Sequence, residues 1–310
     1  MLKNKVNVMA THLVSLISEH LLPNYLLAKE MHCRYDEHIF ITTARMEEKL
    51  MTSRFSNTLK VKKEEVKIIV VPEDDLSDAM KKMKLENFNK DDKFIVNITG
   101  GTKIMSIATV INFLDYNADF YYIPILTNKI ENVKTSEDLP IRYRVNVEEY
   151  LSLYGLRFEF DNGEVVDNGH KFEEYICNRI CSEKGLKKGF VYRGVKLFRD
   201  VSEQINDNEI DIVWTADNQL FVGECKISLT PPNGKETRAE PVEYLNNIMY
   251  KLSAISKDFG LMVNPYIFIK SKLPKQFNSD RIKSINKRLK ILGIKGLLSS
   301  QELQQQKLKI

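Results

Sequence analysis

The chain has 310 residues, 43% of them hydrophobic and 28% charged, with a formal net charge of +4. That is enough for two domains with cores of their own, and no apolar run is long enough to span a bilayer, so a membrane protein is not expected. Cys33, Cys177, Cys181 and Cys225 are scattered without a C-x-x-C pair, which argues against a disulfide scaffold and fits a reduced, cytoplasmic setting; Cys177 and Cys181, one helical turn apart, read as buried thiols rather than zinc ligands.

Residues 13–123 alternate between apolar runs and amphipathic segments. Strands are expected at 13–17, 38–43, 66–71, 93–98 and 118–123, with helices between them at 23–32, 45–58, 75–88 and 102–116. Buried apolar strands alternating with helices predict an α/β fold, a doubly wound, Rossmann-like parallel sheet covered on both faces. Ligands bind such sheets beyond the carboxyl ends of the strands. Two of those ends carry chemistry: Ser18, Glu19, His20, Pro23 and Asn24 after the first strand, and Thr99, Gly100, Gly101, Thr102 and Lys103 after the fourth. Two glycines before a helix let main-chain amides approach an anion, with Lys103 adding a point charge and Thr102 a hydroxyl. The spacing is neither a Walker A loop nor a dinucleotide fingerprint, so a purely structural glycine turn is the bland alternative. His12 reads as a packed or solvated side chain.

The string from Asn97 to Ser106 (NITGGTKIMS) is similar to the ligand loop of CARF domains, the CRISPR-associated Rossmann-fold sensors of cyclic oligoadenylates. The segment from Leu16 to Asn24 resembles their first ligand loop. The resemblance implies a cyclic oligoadenylate held by Ser18, Glu19, His20, Pro23, Asn24, Thr42, Thr99, Gly100, Gly101, Thr102, Lys103 and Met105. Thr43, Arg45, Met46 and Glu47 stand where that group commonly continues its pocket.

Residues 127–140 are polar and read as a loop or extended excursion, and 141–160 have strand-then-helix character. Residues 127–160 are therefore expected to form a small connector between a domain at 1–126 and another at 161–310.

Residues 169–184 form an amphipathic helix with Phe172, Tyr175, Ile176 and Ile180 on one stripe. Strand-like runs at 209–215 and 219–227 flank a turn at Ala216–Gln219. If Asp217 and Asn218 are the central residues of a tight hairpin, opposed residue numbers sum to 435. Asp211 then faces Glu224, and Lys226 points to the same side. Two carboxylates and an ammonium gathered there are costly unless a cation joins them. A hard divalent ion, Mn2+ or Mg2+ rather than zinc, suits Asp211, Glu224 and the Cys225 carbonyl. A surface hairpin with an ordinary salt bridge is the alternative, but the other face (Ile210, Ile212, Trp214, Phe221, Cys225) is apolar and must be covered.

Asp211 with Glu224-Cys225-Lys226 resembles the PD-(D/E)xK nuclease superfamily, with Ile210 in place of the proline. The resemblance implies a restriction-endonuclease-like α/β domain with Glu173 or Glu174 as an upstream acid, a metal set of Glu173, Asp211 and Glu224, and Lys226 assisting the attacking water. Glu173, directly after the aromatic residue, matches the family position. Residues 241–257 look like the helix that follows the hairpin; Lys251 on it reads as an exposed lysine that could touch a phosphate. Residues 265–295 carry nine Lys or Arg and one acid, Asp280, the footprint expected for a phosphate backbone.

A CARF domain followed by a PD-(D/E)xK domain resembles the ancillary nucleases of type III CRISPR systems. That resemblance implies an endonuclease activated by a cyclic oligoadenylate, cutting single-stranded DNA or RNA and nicking duplexes. Pairing two ligand edges in a homodimer builds one symmetric pocket, which an even-membered ring can share; family resemblance favours the tetra-adenylate over the hexa-adenylate. The other readings are a ligand-independent restriction or repair nuclease and a non-enzymatic nucleotide sensor acting on a partner.

Overall fold

The structure is a computed structural model and describes residues 9–62, 65–124, 127–160, 167–198, 208–229, 241–260, 263–274, 277–305, 307–308 and 310. The chain divides into two compact units, Met1–Arg144 and Val145–Ile310.

The first unit runs β1 (Thr11–Leu16), α1 (Leu22–Glu30), β2 (Glu37–Thr42), α2 (Ala44–Glu48), α3 (Met51–Leu59), β3 (Val66–Val70), α4 (Leu76–Leu85), β4 (Lys93–Asn97), α5 (Lys103–Phe113), β5 (Asn117–Tyr122), β6 (Lys129–Asn132) and β7 (Asp138–Pro140). Its seven strands lie in the order β3-β2-β1-β4-β5-β6-β7. The first five are parallel and the last two antiparallel. Buried residues on successive positions of β1, β2 and β4 explain why these runs lack alternation: helices cover both faces of the sheet. One layer packs Val14, Ile39, Ile41, Phe94 and Val96 against Ala79, Met83, Met105, Ala108 and Phe113. Three helix starts are fixed by side chains: Thr43, Asp75 and Thr102 each accept an amide three residues on.

The expected helix at 45–58 is broken in two. Leu50 sits in the left-handed region at φ +56° between α2 and α3, and one exposed residue in that conformation ends a helical hydrogen-bond ladder. His12 is buried, its ring stacked on Phe94 at 5.0 Å and its nitrogens 2.9 Å from Glu37 Oε2 and 3.1 Å from Asp92 Oδ2. It ties three strands at the end of the sheet away from the glycine loop.

The second unit runs α6 (Val147–Leu153), β8 (Arg157–Phe160), α7 (Asn168–Lys184), β9 (Val191–Phe198), β10 (Asn208–Ala216), β11 (Gln219–Lys226), α8 (Pro241–Ser256), β12 (Val263–Ile269), α9 (Ser279–Ile291), β13 (Gly296–Leu298) and α10 (Ser300–Leu303). Six strands take the order β13-β12-β11-β10-β9-β8. From β8 to β11 neighbours are antiparallel, and from β11 to β13 parallel. Helix α7 lays Phe172, Ile176 and Ile180 on Ile212, Trp214, Cys225 and Phe268, each such side chain contributing roughly 1.5–3 kcal/mol. Helix α8 buries Leu245, Ile248, Met249, Leu252 and Ile255 and carries Lys251 to the opposite face, where Glu224 lies.

The expected connector at 127–160 is not a separate body. β6 and β7 extend the first sheet, whereas α6 and β8 belong to the second unit. The order within 141–160 is helix then strand. A capping box at Asn146, with Glu149 returning to its amide, starts α6 where the sequence suggested a strand. Among the described residues no helix is long and apolar enough to cross a membrane.

Candidate functional site

Strand order 3-2-1-4-5 places the point where winding reverses between β1 and β4, and the loops after these two strands face each other there. A Cβ on Gly100 would come 2.2 Å from the Leu16 carbonyl, so only glycine lets the second loop press on the end of β1. Asn24 Nδ2 donates to Leu16 O at 2.7 Å, and Asn97 Nδ2 donates to Asn24 Oδ1 at 2.8 Å. Asn97 Oδ1 accepts from the Thr99 amide at 3.0 Å and hydroxyl at 2.6 Å, and the Thr99 hydroxyl accepts from the Ile123 amide at 2.8 Å. Asn24, Thr99 and Gly100 thus form the frame of the crevice.

Its walls enclose a pocket of about 280 Å³ lined by Ile17, Ser18, Glu19, His20, Thr43, Arg45, Met46, Glu73, Gly101, Thr102 and Met105. Gly101, at φ +73°, turns the chain into α5. Thr102 caps that helix, and its hydroxyl donates to Glu73 O at 3.1 Å; Thr43 caps α2 and donates to Glu73 Oε1 at 3.0 Å. Glu19 forms ion pairs with Lys49 and, at 3.5 Å, Arg45. The Lys49 hydrogen bond holds its carboxyl below the ordinary value. His20 Nδ1 is buried without a hydrogen-bond partner among the described residues, a polar atom at the pocket in want of one.

Of the residues named for the ligand, Ser18, Glu19, His20, Gly101, Thr102 and Met105 line this pocket. Thr42 is buried behind it, Pro23 opens α1, and Lys103 is exposed on the first turn of α5, off the lining. Glu73 was missed. Its signal is a carboxylate just past the third apolar run, at the same end of the sheet as the two loops.

The second site is the hairpin. Asp217 and Asn218 have φ +49° and +60°, as a two-residue turn of the mirror-image type requires. The pairs Ile212↔Gly223 and Ala216↔Gln219 fix the expected register and set Asp211 opposite Glu224. Lys226 Nζ lies 2.7 Å from Glu224 Oε1, 3.4 Å from Asp211 Oδ2 and 3.0 Å from the Cys225 carbonyl oxygen. The Cys225 amide donates to Asp211 Oδ2 at 2.6 Å. From α8, Lys251 Nζ approaches Glu224 Oε1 at 3.4 Å. Glu224 is only 3% exposed.

Burial, followed by the charge of Glu224, pushes the Asp211 carboxyl up to about 7. Burial alone would lower Lys226, but the two carboxylates overcome it and hold the ammonium above its ordinary value. Glu173 is half-buried on α7. Burial raises its carboxyl against the opposing fields of His170, Arg193 and Lys226, while Glu174 is exposed. Of the two, Glu173 faces the hairpin.

The three acids named as a metal set do not converge. Among the described residues, no three His, Cys, Asp or Glu side chains come together as a metal-holding group. Asp211 and Glu224 direct their oxygens to Lys226, Lys251 and the Cys225 amide, and Glu173 stands back on its helix. Two carboxylates and the Cys225 carbonyl still form a hard-oxygen donor set. The upward pressure on Asp211 marks an excess of buried negative charge, which a divalent cation would relieve.

The chain thus joins a Rossmann-like unit with a crevice at its winding reversal to an α/β unit with an acid-acid-lysine hairpin. Residues 12–150 match the family model described as the Card1 CARF domain. The fold of nearly the whole chain is that of Can2 from Sulfobacillus thermosulfidooxidans, solved in complex with cyclic tetra-adenylate (TM-score 0.70, 18% identity, 94% of this chain and 95% of that one). It is also that of protein VC1899 from Vibrio cholerae (TM-score 0.72, 14% identity, 96% of each chain). A type III CRISPR defence DNA nuclease activated by cyclic oligoadenylate matches at TM-score 0.52 and 14% identity, over 86% of this chain and 47% of that one. No curated protein matches the chain by sequence.

Proposed function

We propose that this chain is a metal-dependent endonuclease switched on by a cyclic oligoadenylate, tetra-adenylate before hexa-adenylate, in type III CRISPR defence. The observation that carries the reading is Lys226 between the buried carboxylates of Asp211 and Glu224, in the register a PD-(D/E)xK site requires. Can2 was solved with cyclic tetra-adenylate, and the crevice between β1 and β4 offers amides, hydroxyls and the unpartnered His20 nitrogen to a similar ligand.

Asp211, Glu224 and the Cys225 carbonyl would hold Mn2+ or Mg2+, with Glu173 acting from α7. Such an ion, when bound, supplies Lewis acidity toward water and phosphoryl oxygens. Lys226, kept protonated by its neighbours, orients the attacking water and offsets charge growing on the phosphoryl group. A PD-(D/E)xK site makes no use of a ribose 2′-hydroxyl, so DNA and RNA single strands are both within its chemistry. The ligand is shared across the two-fold axis of a homodimer, with Lys103 from each protomer on its phosphates.

The test is incubation of labelled single-stranded DNA and RNA with manganese and each cyclic oligoadenylate in turn, for the native chain, Lys226→Ala and Lys103→Ala. Cleavage that needs both metal and ring, is lost in Lys226→Ala and is no longer switched on by the ring in Lys103→Ala supports the reading. Cleavage by the native chain without a ring, or cleavage undiminished in Lys226→Ala, overturns it.

A further inference from the structure

We propose that the second unit holds its single-stranded substrate in a cleft beside α7, with one base stacked on Tyr175 and flanking phosphates on Lys171 and Lys270; this rests on the nuclease reading above. The cleft has a volume of about 320 Å³ and is lined by Lys171, Phe172, Tyr175, Lys270, Ser300 and Gln304, among others. That is within the range of small-ligand sites, about 300–1,000 Å³.

Its position follows from the helix. Phe172 points into the core, and successive helical residues lie about 100° apart. Glu173 therefore falls on one flank of α7, where Arg193 and Lys226 act on it, and Lys171 and Tyr175, four apart, fall on the other. On that second flank lies Lys270, whose amide donates to the Lys226 carbonyl at 2.9 Å. The cleft is thus one strand across from the acid-acid-lysine hairpin.

Three features suit it to an unstacked base between phosphates. Tyr175 is 48% exposed, and its ring lies 17° from parallel to that of Phe172, which anchors the residue that presents it. Lys171 and Lys270 have no ion pair among the described residues, so both ammonium groups are available to an anion. Ser300 Oγ is buried at the cleft with no hydrogen-bond partner among the described residues, and a base edge or a phosphate oxygen would satisfy it. A second cavity, of about 710 Å³, shares Ser300 and Gln304 with the cleft and adds Lys272 and Asn286. Beside it runs α9, with five Lys or Arg against Asp280 alone. A basic track with an aromatic platform is how single strands are held without sequence preference.

The test measures anisotropy of a labelled oligothymidylate and of an abasic strand of equal length, in EDTA, with and without cyclic tetra-adenylate. Manganese-dependent cleavage is assayed on the same preparations. Tyr175→Ala is expected to weaken the oligothymidylate about tenfold and leave the abasic strand unchanged, whereas Tyr175→Phe, which keeps the ring, binds as the native chain does. Lys171→Ala with Lys270→Ala is expected to flatten the salt dependence by about 0.7 per lysine. If the native chain binds and cleaves while these variants bind just as well, the cleft is overturned and the nuclease reading stands. If the native chain neither binds nor cleaves, both fall.

Discussion

His38 makes the first unit sensitive to acid. Its ring is 1% exposed, packed edge-on to Phe40 and Phe55 at 4.5 and 5.7 Å and to Tyr35 at 5.5 Å, with Nε2 2.9 Å from the Ser15 hydroxyl. Burial drives its pKa from 6.5 down to about 3, so the folded chain keeps the ring neutral where the unfolded chain binds a proton. Stability supplied by the neutral ring is complete above the unfolded pKa and is lost as pH falls below it, down to the folded pKa. Integrating one proton of difference from about pH 7.5 to about pH 5 gives a loss of about 2 kcal/mol. His38→Phe removes the titration while keeping an aromatic ring. In urea unfolding of the full chain followed by circular dichroism, the native chain should lose about 2 kcal/mol relative to His38→Phe over that interval. Fluorescence of Trp214, the single tryptophan and buried in the second unit, supplies a transition the substitution should leave in place. A stability gap that does not change with pH would refute the assignment of a buried neutral imidazole.

Other outcomes follow from the two sites. Gly100→Ala pushes a methyl group into the Leu16 carbonyl, so it should cost about 1–3 kcal/mol and abolish calorimetric binding of cyclic tetra-adenylate while metal binding persists. Asp211→Asn removes one of two like charges beside Lys226; it should end cleavage yet raise the unfolding midpoint in EDTA by about 2–4 °C, read by scanning calorimetry. Lys226→Ala leaves two buried carboxylates with less compensation, so cleavage should fall about a hundredfold or more and the midpoint in EDTA should drop. Glu73→Gln keeps the volume but weakens the Thr43 contact; ring affinity should fall several-fold without loss of basal metal binding, again by calorimetry.

The hairpin was legible because its turn is local. Asp and Asn tolerate positive φ, and a two-residue turn fixes every later pairing, so the facing of Asp211 and Glu224 could be read by counting. The parallel strands were legible from unbroken apolar runs. β6 and β7 were not: KIEN and DLP are short, polar strands at one end of the sheet whose only reason to pair is the neighbouring strand. Nor does any local pattern announce the kink at Leu50. In the crevice, sequence grouped the loop residues but could not tell wall from frame. Asn24 and Thr99 face inward to satisfy strand-end polar groups, a division of labour decided by hydrogen bonds to residues distant in the chain. Glu73 belongs to the same class, since its partners Thr43 and Thr102 are about thirty residues away on either side.

The missing side chain at Gly100 has a mechanical consequence. With the Leu16 carbonyl filling the space a methyl would take, and Asn24 clamped between that carbonyl and Asn97, the ends of β1 and β4 are keyed together like teeth and cannot slide past each other. A ligand settling there meets an anvil, and the work it does must go into the rim. There Glu73 fastens the first turns of α2 and α5 to one loop, so pressure on either helix start is delivered to both.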